Sequence, residues 1–545
     1  MSARADVAIL GGGLAGLSLA LQLKRRDPAL SVLVLERRAH PVREAAFKVG
    51  ESTVEIGAHY FAEELGLRRH LDTAQVRKFG FRFFFSDGHD DPARCTELGV
   101  SRVFSVPTWQ LDRGRFENFL GEQVRAHGVD FRDGAVVRGV ALADDDGDHV
   151  LHFDHAGARH TLSARWVVDA SGRAGLLKRQ LGLAQANGHD CNAVWWRVEG
   201  IVDPHDWSDD PAWQARCTPA ERWRSTNHLC GPGYWVWMIP LASGSHSLGI
   251  VCDARLHPLE TMHTHAAAMA WLHRHQPALA RLLERPRHAL QDFRFLRGFS
   301  YGCRQVFGHR WALTGEAGLF LDPFYSPGSD FIAIANTYIC ELVARERAGQ
   351  PFAPHAELFQ QLYFSFYDTM LALYRDQYPL FGDAQVMPLK VLWDYTLYWG
   401  LLAPLYCSGR IADLRMLSRL RGTFEAARAL NRAMQPLLRE WGARNPPRPL
   451  ADGRWLDQHD LPWFGALNRA LGERADDDAF AARIAANLAL LRALAAELLR
   501  LARARHPALP DRGLAALLAG AGADEPLLPA AWAAAMRNRT RLNPP

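Results

Sequence analysis

A glycine pattern near the N-terminus constrains the fold more than any other feature of the sequence. Residues 7–10 form a short apolar run, and Gly11, Gly13 and Gly16 then give the pattern GxGxxG ahead of helix-forming residues. This pattern is typical of a buried strand, a tight turn and a helix N-terminus that holds a pyrophosphate. Glu36 ends the next apolar run 20 residues after Gly16, where an acidic side chain binds a ribose hydroxyl. The sequence therefore predicts a Rossmann-like, dinucleotide-binding domain.

The composition limits the classes of partner and compartment. The net charge of +4 over 545 residues gives no basic surface for nucleic acid. The eight cysteines have no CxxC spacing, which indicates reduced thiols and neither a disulfide framework nor a zinc site. The first strand begins within a few residues of the N-terminus, and Asp394 and Pro404 interrupt the apolar stretch 391–407. We therefore expect a cytoplasmic protein with no signal peptide, no transmembrane segment and no metal site.

Three later segments have the composition of a cofactor site. Residues 166–169 predict a strand that ends at Asp169 and continues into small residues, which allow close approach to a cofactor. Gly315 and Glu316 lie in a second glycine turn after a predicted strand, and Arg113 stands at a predicted helix start. Helix-start N–H groups bind anions or carbonyl oxygens, so the helix after the second glycine turn offers such a site.

The middle and the end of the chain differ in pattern. Residues 191–253 are rich in predicted strands, and Trp235, Trp237 and Ile239 alternate, so they should share one face. Beyond about residue 345 the pattern is mostly helical. The predicted organisation is a module over residues 1–345, with an inserted sheet at about 185–300, and a helical region over 346–545. Taken alone, the alternating tryptophans predict only a half-buried strand.

Two motifs carry more information than this general pattern. Residues 235–240 read WVWMIP and match WxWxIP, while Phe320, Pro323, Ser326 and Gly328 match FxxPxxSxG. Together with the turn at residues 50–53 (GEST) and a lysine before Phe79 and Gly80, these motifs make the chain resemble the flavin-dependent halogenases, a branch of the two-domain flavin monooxygenase fold. The similarity spans residues 1 to about 345.

The resemblance implies an α/β fold: a Rossmann-like FAD-binding domain with an inserted β-sheet domain on the substrate side, followed by helices that cover the substrate pocket. It implies that reduced FAD and O2 convert chloride or bromide into hypohalous acid. Lys78 would orient that species by a hydrogen bond or carry it as a haloamine to an electron-rich aromatic or conjugated substrate. No second dinucleotide fingerprint is evident, so a separate NAD(P)H flavin reductase is the implied partner. The substrate could be free or bound to a carrier protein.

The resemblance also assigns residues to sites. Lys78 is the expected catalytic residue, and Lys48 is a rival expected at a surface strand end. The residues expected to bind FAD are Gly11, Gly13, Ala15, Gly16, Glu36, Ser52, Arg113, Asp169, Gly315, Glu316 and Gly328. Ser326, Gly328 and Ser329 are expected to bind halide. The wall between flavin and substrate is expected to contain Trp235, Trp237, Ile239, Pro240, Phe320 and Pro323.

Three departures from the family pattern leave alternatives open. Pro327 stands where an N–H group is expected to donate to halide, and proline has none. Tyr325 replaces the glutamate of the tryptophan-halogenating branch, which argues against free tryptophan as substrate, and Glu55 replaces a common proline. The alternative enzyme is a flavin monooxygenase, or a halogenase-fold oxidoreductase that does not use halide. A flavin-binding protein without turnover is a third interpretation. If halide is used, we expect bromide to be preferred.

Overall fold

The computed structural model describes residues 3–44, 48–85, 91–445, 453–519 and 525–537. In chain order its strands are β1 (Ala3–Leu10), β2 (Val32–Glu36), β3 (Val76–Arg77), β4 (Phe81–Phe85), β5 (Thr96–Gly99), β6 (Trp109–Gln110), β7 (Asp130–Asp133), β8 (Val136–Ala141), β9 (His149–His155), β10 (Ala158–Asp169), β11 (Ala184–Gln185), β12 (Cys191–Glu199), β13 (Thr226–Gly231), β14 (Tyr234–Pro240), β15 (Ser245–Asp253), β16 (Leu290–Leu296), β17 (Gly302–Cys303), β18 (Trp311–Leu313) and β19 (Trp455–Asp457).

The α-helices alternate with these strands in the first half of the chain and dominate the second half. In chain order they are α1 (Leu14–Arg26), α2 (Glu55–His59), α3 (Arg68–Ala74), α4 (Arg113–Ala126), α5 (Leu176–Gln180), α6 (Pro211–Gln214), α7 (His265–His275), α8 (Pro277–Leu283), α9 (Gly328–Arg347), α10 (Ala353–Ala372), α11 (Val386–Leu397), α12 (Ala403–Cys407), α13 (Leu414–Ala443), α14 (Pro462–Ala470), α15 (Asp477–Arg505), α16 (Leu514–Leu517) and α17 (Ala530–Arg537). Two π-helical segments, Tyr60–Glu64 and Tyr398–Leu402, continue α2 and α11.

The first sheet positions the glycine turn. Its order is β7-β2-β1-β10-β9-β8, with β18 paired to β10, and β7, β2, β1, β10 and β18 run parallel. The carboxyl ends of parallel strands meet at one edge, so the segments after Leu10, Glu36, Asp169 and Leu313 converge there. The expected α/β architecture with a Rossmann-like domain is confirmed.

The second sheet separates two hydrophobic cores. Its order is β16-β12-β15-β14-β13-β4-β5-β19. On β14, Trp235, Trp237 and Ile239 pack into the core shared with the first sheet, whereas Tyr234 and Met238 pack into the core on the opposite side. The predicted period-two alternation is therefore present, and it turns the WxWxIP tryptophans toward the parallel sheet.

The extent of the second sheet differs from the prediction. Among the described residues, five of its eight strands lie within about 185–300, but β4, β5 and β19 come from outside that range. The three-residue strand β19 pairs in parallel with β5, so the helical C-terminal half completes the edge of this sheet. A strand this short has no periodicity that a sequence pattern could reveal.

The C-terminal helices pack against one another, as α13 does against α15, and Tyr395 of α11 contacts Phe81 of β4 in the second sheet. In the described part of the chain, α15 is the one helix that is long and apolar enough to cross a membrane. This is weak evidence, because buried core helices meet the same criterion. The side chains of Phe480, Ile484, Leu491 and Leu498 on α15 are buried in the main core.

Candidate active site

A cavity of about 690 Å³ lies at the carboxyl edge of the parallel sheet, where the four strand ends converge. It reaches from the glycine turn after β1, past the turns that follow β10 and β18, to the WxWxIP face of β14. Its position at the strand ends is where doubly wound α/β sheets bind their ligands. We refer to it below as the large cavity.

The glycine turn shapes one end of the large cavity. Gly11 has φ +120°, and a Cβ there would lie 2.4 Å from the carbonyl oxygen of Ala170. A Cβ at Gly16 would lie 1.9 Å from the carbonyl oxygen of Gly11, whereas one at Gly13 would meet nothing within 4 Å. Gly11 and Gly16 therefore allow the backbone to fold tightly, and Gly13 leaves backbone open toward the cavity. This is a cradle suited to a pyrophosphate at the start of α1.

Charged side chains lie beside this cradle. Glu36 lines the cavity and accepts hydrogen bonds from the backbone N–H of Gly12 at 2.7 Å and of Arg38 at 2.8 Å. Arg113 donates to the carbonyl of Val49 at 2.6 Å, and burial lowers the pKa of its guanidinium to about 10. The backbone bonds hold the Glu36 carboxylate at the edge of the cavity, where a ribose hydroxyl can reach it.

The sequence suggested that Lys48 lies at a surface strand end, and the structure does not place it there. Its ammonium pairs with the buried carboxylate of Glu117, and its side chain lines the large cavity. Burial lowers the pKa of Lys48 to about 7, and the nearby Arg113 and Arg38 guanidinium groups add to this effect. Residues 48–50 lie outside any helix or strand, and all three line the large cavity.

The FxxPxxSxG motif forms another part of the wall of the large cavity. Ser326, Pro327, Gly328 and Ser329 line the large cavity, and Gly328 is the first residue of α9. The N–H groups of the first turn of a helix have no intrahelical acceptor, so those of Gly328 and Ser329 remain available to an anion. Ser326 has φ +53°, and Pro327 supplies no N–H at the position before α9.

The tryptophans of β14 form an apolar wall. Trp235, Trp237 and Ile239 line the large cavity together with Phe320 and Pro323, while Pro240 does not reach it. The indole N–H of Trp235 donates to the Tyr378 hydroxyl at 3.0 Å, and that hydroxyl donates to Asp322 at 2.6 Å. Because both bonds are buried, the orientation of Trp235 depends on a residue of the C-terminal region.

His189, Cys191 and Asp322 meet beside Tyr378, and their donor atoms lie within 4.8 Å of one another. The group has the residue types of a metal site, which the sequence did not suggest. His189 Nε2 lies 2.7 Å from Asp322 Oδ2, which also accepts from Tyr378. Burial raises the pKa of the Cys191 thiol, so the thiolate that a metal requires is disfavoured. Hydrogen bonding within the protein accounts for this cluster.

Lys78 lies in the wall between the large cavity and a smaller one. Its ammonium donates to Ser52 Oγ and to the Thr53 carbonyl, both at 3.0 Å, and lies 3.4 Å from the centre of the Phe81 ring. Burial lowers the pKa of Lys78 to about 7, and the carboxylates of Glu55 and Asp330 oppose this shift. Ser52 lines the large cavity, whereas Lys78 lines a second cavity of about 30 Å³. The Lys78–Ser52 hydrogen bond therefore joins the two.

The structure brings most of the predicted residues together. Gly16, Asp169 and Pro240 are exceptions, since they do not line the large cavity, and Lys78 lines the small one instead. Asp169 accepts from the N–H of Ser171 and of Leu177, and so shapes the turn instead of reaching a ligand. The members of the predicted FAD set that do line it are Gly11, Gly13, Ala15, Glu36, Ser52, Arg113, Gly315, Glu316 and Gly328.

Sequence reasoning missed several lining residues. Arg38 and Trp195 line the large cavity, and Glu55, Tyr395 and Trp399 line the small one. Glu55 carried a signal, because it interrupts the family pattern after the GEST turn. The other four carried none, since only tertiary packing brings them to a cavity.

The large cavity fits FAD on its own geometry. Its volume is within the usual range for cofactor sites. The open backbone at Gly13 suits the pyrophosphate, the carboxylate of Glu36 suits a ribose, and the apolar wall at Trp235 and Trp237 suits a flat ring system.

Comparison with known proteins agrees with this geometry. An FAD binding domain family model matches residues 4–271. The flavin-dependent halogenase chlA of Dictyostelium discoideum is 28% identical over 441 residues, which cover 74% of this chain and 70% of that protein. The 1H-pyrrole-2-carbonyl-(peptidyl-carrier protein) brominase of Pseudoalteromonas luteoviolacea is 27% identical over 348 residues, covering 60% of this chain and 74% of that protein.

A solved structure, the flavin-dependent brominase Bmp2, is 25% identical to this chain. It superposes with a TM-score of 0.56 over 69% of this chain and 87% of its own. The large cavity, the residues of both motifs in its wall and these likenesses lead to one assignment: the chain is an FAD-dependent oxidoreductase that is similar to the flavin-dependent halogenases.

Proposed function

We propose that this halogenase takes reduced FAD from a separate NAD(P)H flavin reductase. With O2 and bromide or chloride it forms hypohalous acid, which Lys78 delivers to an electron-rich aromatic or conjugated substrate. The single observation that carries this proposal is the position of Lys78, which is buried, donates a hydrogen bond to Ser52 in the wall of the large cavity and lines the small cavity. When bound, FAD supplies the oxidising chemistry.

The residues of the chain have separate roles in this proposal. The backbone around Gly13 binds the pyrophosphate and Glu36 binds a ribose hydroxyl. The N–H groups of Gly328 and Ser329 hold the halide near the flavin end of the cavity, and the indoles of Trp235 and Trp237 keep organic substrate out of it. A partly desolvated ammonium is a strong donor toward the hypohalous oxygen, so Lys78 retains and orients the oxidant.

Two features bear on the substrate and its delivery. The small cavity holds no ring at about 30 Å³, but the aromatic side chains of Phe81, Phe104, Tyr395 and Trp399 line it, which supports an apolar aromatic substrate on that side of Lys78. The name of the brominase relative describes a carrier-bound pyrrole substrate, which supports delivery on a carrier protein as one route for this chain too.

Pro327 favours the second candidate function, an oxidoreductase of the same fold that does not use halide, because it removes one N–H from the halide site.

The test is reconstitution with FAD, a flavin reductase, NADH, O2 and bromide or chloride. A β-diketone trap reports free hypohalous acid, and an electron-rich aromatic panel reports halogen transfer. We expect Lys78→Met to lose substrate halogenation while the trap is still halogenated. The matched variant Lys48→Ala should weaken FAD binding but retain transfer at saturating FAD. Hydroxylated product that does not depend on halide would instead establish the monooxygenase.

A further inference from the structure

The first turn of α9 contains a buried carboxyl group beside the proposed halide site. Asp330 follows Gly328 and Ser329, whose N–H groups hold the halide in the proposed function, and it is 0% exposed. An acidic residue in the first turn of a helix usually stabilises the helix from the surface, where water surrounds the charge. Asp330 has no such hydration, so its charge must be balanced inside the protein or removed by a proton.

The hydrogen-bond partners of Asp330 are neutral. Its Oδ1 accepts from the N–H of Gly57 at 2.8 Å, and its Oδ2 lies 2.7 Å from the hydroxyl oxygen of Tyr398. Among the residues that the structure describes, no basic side chain forms an ion pair with Asp330 within 4.0 Å. The Tyr398 hydroxyl can donate to a carboxylate or accept from a carboxylic acid, so this bond persists in both charge states. The surroundings of Asp330 therefore accommodate it with or without a proton.

The packing of α2 on α9 connects Asp330 to Lys78. A Cβ at Gly57 would lie 2.5 Å from the Cβ of Ser329, so glycine allows α2 to approach the first turn of α9 closely. At the other end of the same segment, the carbonyl of Thr53 accepts from the Lys78 ammonium at 3.0 Å. The segment between Thr53 and Gly57 thus lies between the ammonium and the carboxyl group.

Ionisable side chains face Asp330 from several surrounding elements. They are Glu55 of α2, Lys78 before β4, Tyr374 after α10, Tyr395 of α11, Tyr398 of the π-helical segment and Cys407 of α12. Burial raises the pKa of the three tyrosines and of the cysteine, so these four groups stay neutral. Burial also raises the pKa of Asp330 to about 8; its hydrogen bonds and Lys78 oppose this rise, and Glu55 adds to it.

We propose that Asp330 carries the proton that accompanies each halide, so that the halide binds while Asp330 is a neutral acid and is expelled when Asp330 ionises. Two anions in one buried helical turn repel each other, and a halide on the N–H groups of Gly328 and Ser329 therefore favours the protonated carboxyl group. This inference rests on the proposed function and names the residue that sets its halide affinity.

The oxidation of halide consumes such a proton. For a halide X⁻ the sum is FADH2 + O2 + X⁻ + H⁺ → FAD + HOX + H2O. The oxygen–oxygen bond breaks and an O–X bond forms, and O2 gains two electrons from reduced FAD and two from the halide. Atoms and charge balance when one proton enters with each halide. Loss of that proton leaves a carboxylate at Asp330, which stabilises the Lys78 ammonium that receives the hypohalous acid.

The experiment measures halide binding apart from turnover. The protein is loaded with oxidised FAD, without reductase, and bromide is titrated at constant ionic strength between about pH 7 and about pH 10. The change in flavin absorbance gives the bromide affinity. Infrared difference spectra at the alkaline end report the carbonyl stretch of a carboxylic acid that forms on binding.

Three variants identify the group that takes up the proton. Asp330→Asn is isosteric with the neutral acid, Glu55→Gln is the matched control at a second buried carboxyl group, and Lys78→Met removes the nearby cation. Halogenation of the β-diketone trap is measured in parallel with the reductase present. Wild type and Glu55→Gln decide the outcome if Asp330→Asn does not fold.

We expect wild type to lose bromide affinity about tenfold between about pH 7 and about pH 9, since each linked proton changes the affinity tenfold per pH unit above the pKa of its group. Bromide should then produce the acid carbonyl band. Asp330→Asn should bind bromide about tenfold more tightly than wild type at the alkaline end and show no band. Glu55→Gln should keep the band. Lys78→Met should also keep it, with the decline in affinity moved to higher pH because loss of the cation raises the pKa of Asp330.

Three results would overturn the inference. They are a wild-type affinity that does not change with pH, a band that persists in Asp330→Asn, and a band that is lost in Glu55→Gln. Trap halogenation by wild type would still support the proposed function in each case. If wild type neither binds bromide nor halogenates the trap, the proposed function fails and the inference fails with it.

Discussion

The Lys78 ammonium and the Ser52 hydroxyl lie 3.0 Å apart, and the two side chains line different cavities. In the proposed function, an oxidant formed in the large cavity would pass Ser52 before it meets Lys78. Ser52 is held in turn by the Thr226 hydroxyl at 2.9 Å, so its orientation does not depend on Lys78 alone. The route past Ser52 can therefore be tested by removing its hydroxyl.

Ser52→Ala should impair transfer more than oxidation. The change removes a buried acceptor of the Lys78 ammonium, and a hydrogen bond to a charged group contributes about 1.5–3 kcal/mol. At saturating FAD we expect substrate halogenation to fall about tenfold while trapped hypohalous acid rises. The measurement is the ratio of halogenated substrate to halogenated trap per NADH oxidised. An unchanged ratio would mean that Ser52 does not guide the oxidant.

The pH dependence of transfer should report the charge of Lys78. Because burial lowers its pKa to about 7, Lys78 is an ammonium below that pH and an amine above it. Glu55, Asp330 and the Phe81 ring face the group and favour the ammonium, so we expect a hydrogen-bonding role. Transfer to substrate should then decrease as the pH rises through about 7, measured as the halogenated product with hypohalous acid supplied directly. An increase over the same interval would indicate a haloamine.

Local patterns in the sequence predict the parts of the site that are built locally. The turn from Gly11 to Gly16 depends on the close approach of Gly16 to the carbonyl of Gly11, a local contact that a strand-turn-helix of this type requires. Period two predicts that Trp235 and Trp237 share one face of β14, but it does not predict which sheet that face meets. Gly11, Gly13 and both tryptophans line the large cavity.

The small cavity was not predictable in this way. Glu55 and Trp399 are far apart in the chain, and they meet because α2 packs beside the π-helical segment that follows α11. Tyr378 likewise reaches Trp235 from the C-terminal half. Contacts of this kind depend on how helices pack. In the sequence, an aromatic stripe such as Tyr363, Tyr367 and Tyr374 has the same spacing whether it faces a core or a ligand.

Two glycine variants should separate folding from FAD binding. Gly13→Ala places its Cβ in open space, so we expect unchanged stability of the FAD-free protein and FAD binding weakened by tenfold or more. Gly11→Ala places a Cβ 2.4 Å from the Ala170 carbonyl at φ +120°, so the FAD-free protein itself should be destabilised. Thermal unfolding without FAD and flavin fluorescence titration measure the two effects. Equal melting temperatures for both variants would contradict this prediction.

Tyr378→Phe should loosen the tryptophan wall. The change removes the hydroxyl that accepts from the Trp235 N–H and donates to Asp322. The free energy of unfolding should therefore fall by about 1–3 kcal/mol. We expect a lower urea midpoint and a larger share of product that lacks halogen, because substrate can approach the flavin past a mobile Trp235. Trp441→Phe is the control, since its buried indole lies in the helical core. If Tyr378→Phe kept the wild-type urea midpoint, the hydrogen bonds from Trp235 through Tyr378 to Asp322 would not be needed for stability.

Pro327→Ala should strengthen halide binding. The proline has φ −76°, which alanine adopts without strain, and the substitution restores an N–H next to those of Gly328 and Ser329. A charge-assisted hydrogen bond of about 1.5–3 kcal/mol corresponds to a tenfold or greater decrease in the halide concentration for half-maximal activity. Chloride should gain more than bromide, because the smaller anion depends more on hydrogen bonds. The measurement is the halide dependence of trap halogenation at fixed reduced FAD. Pro327→Gly, which also restores the N–H, should reproduce the effect if the donor is its cause. Unchanged halide dependence in both variants would mean that this position does not face the anion, and that the proline does not weaken the halide site.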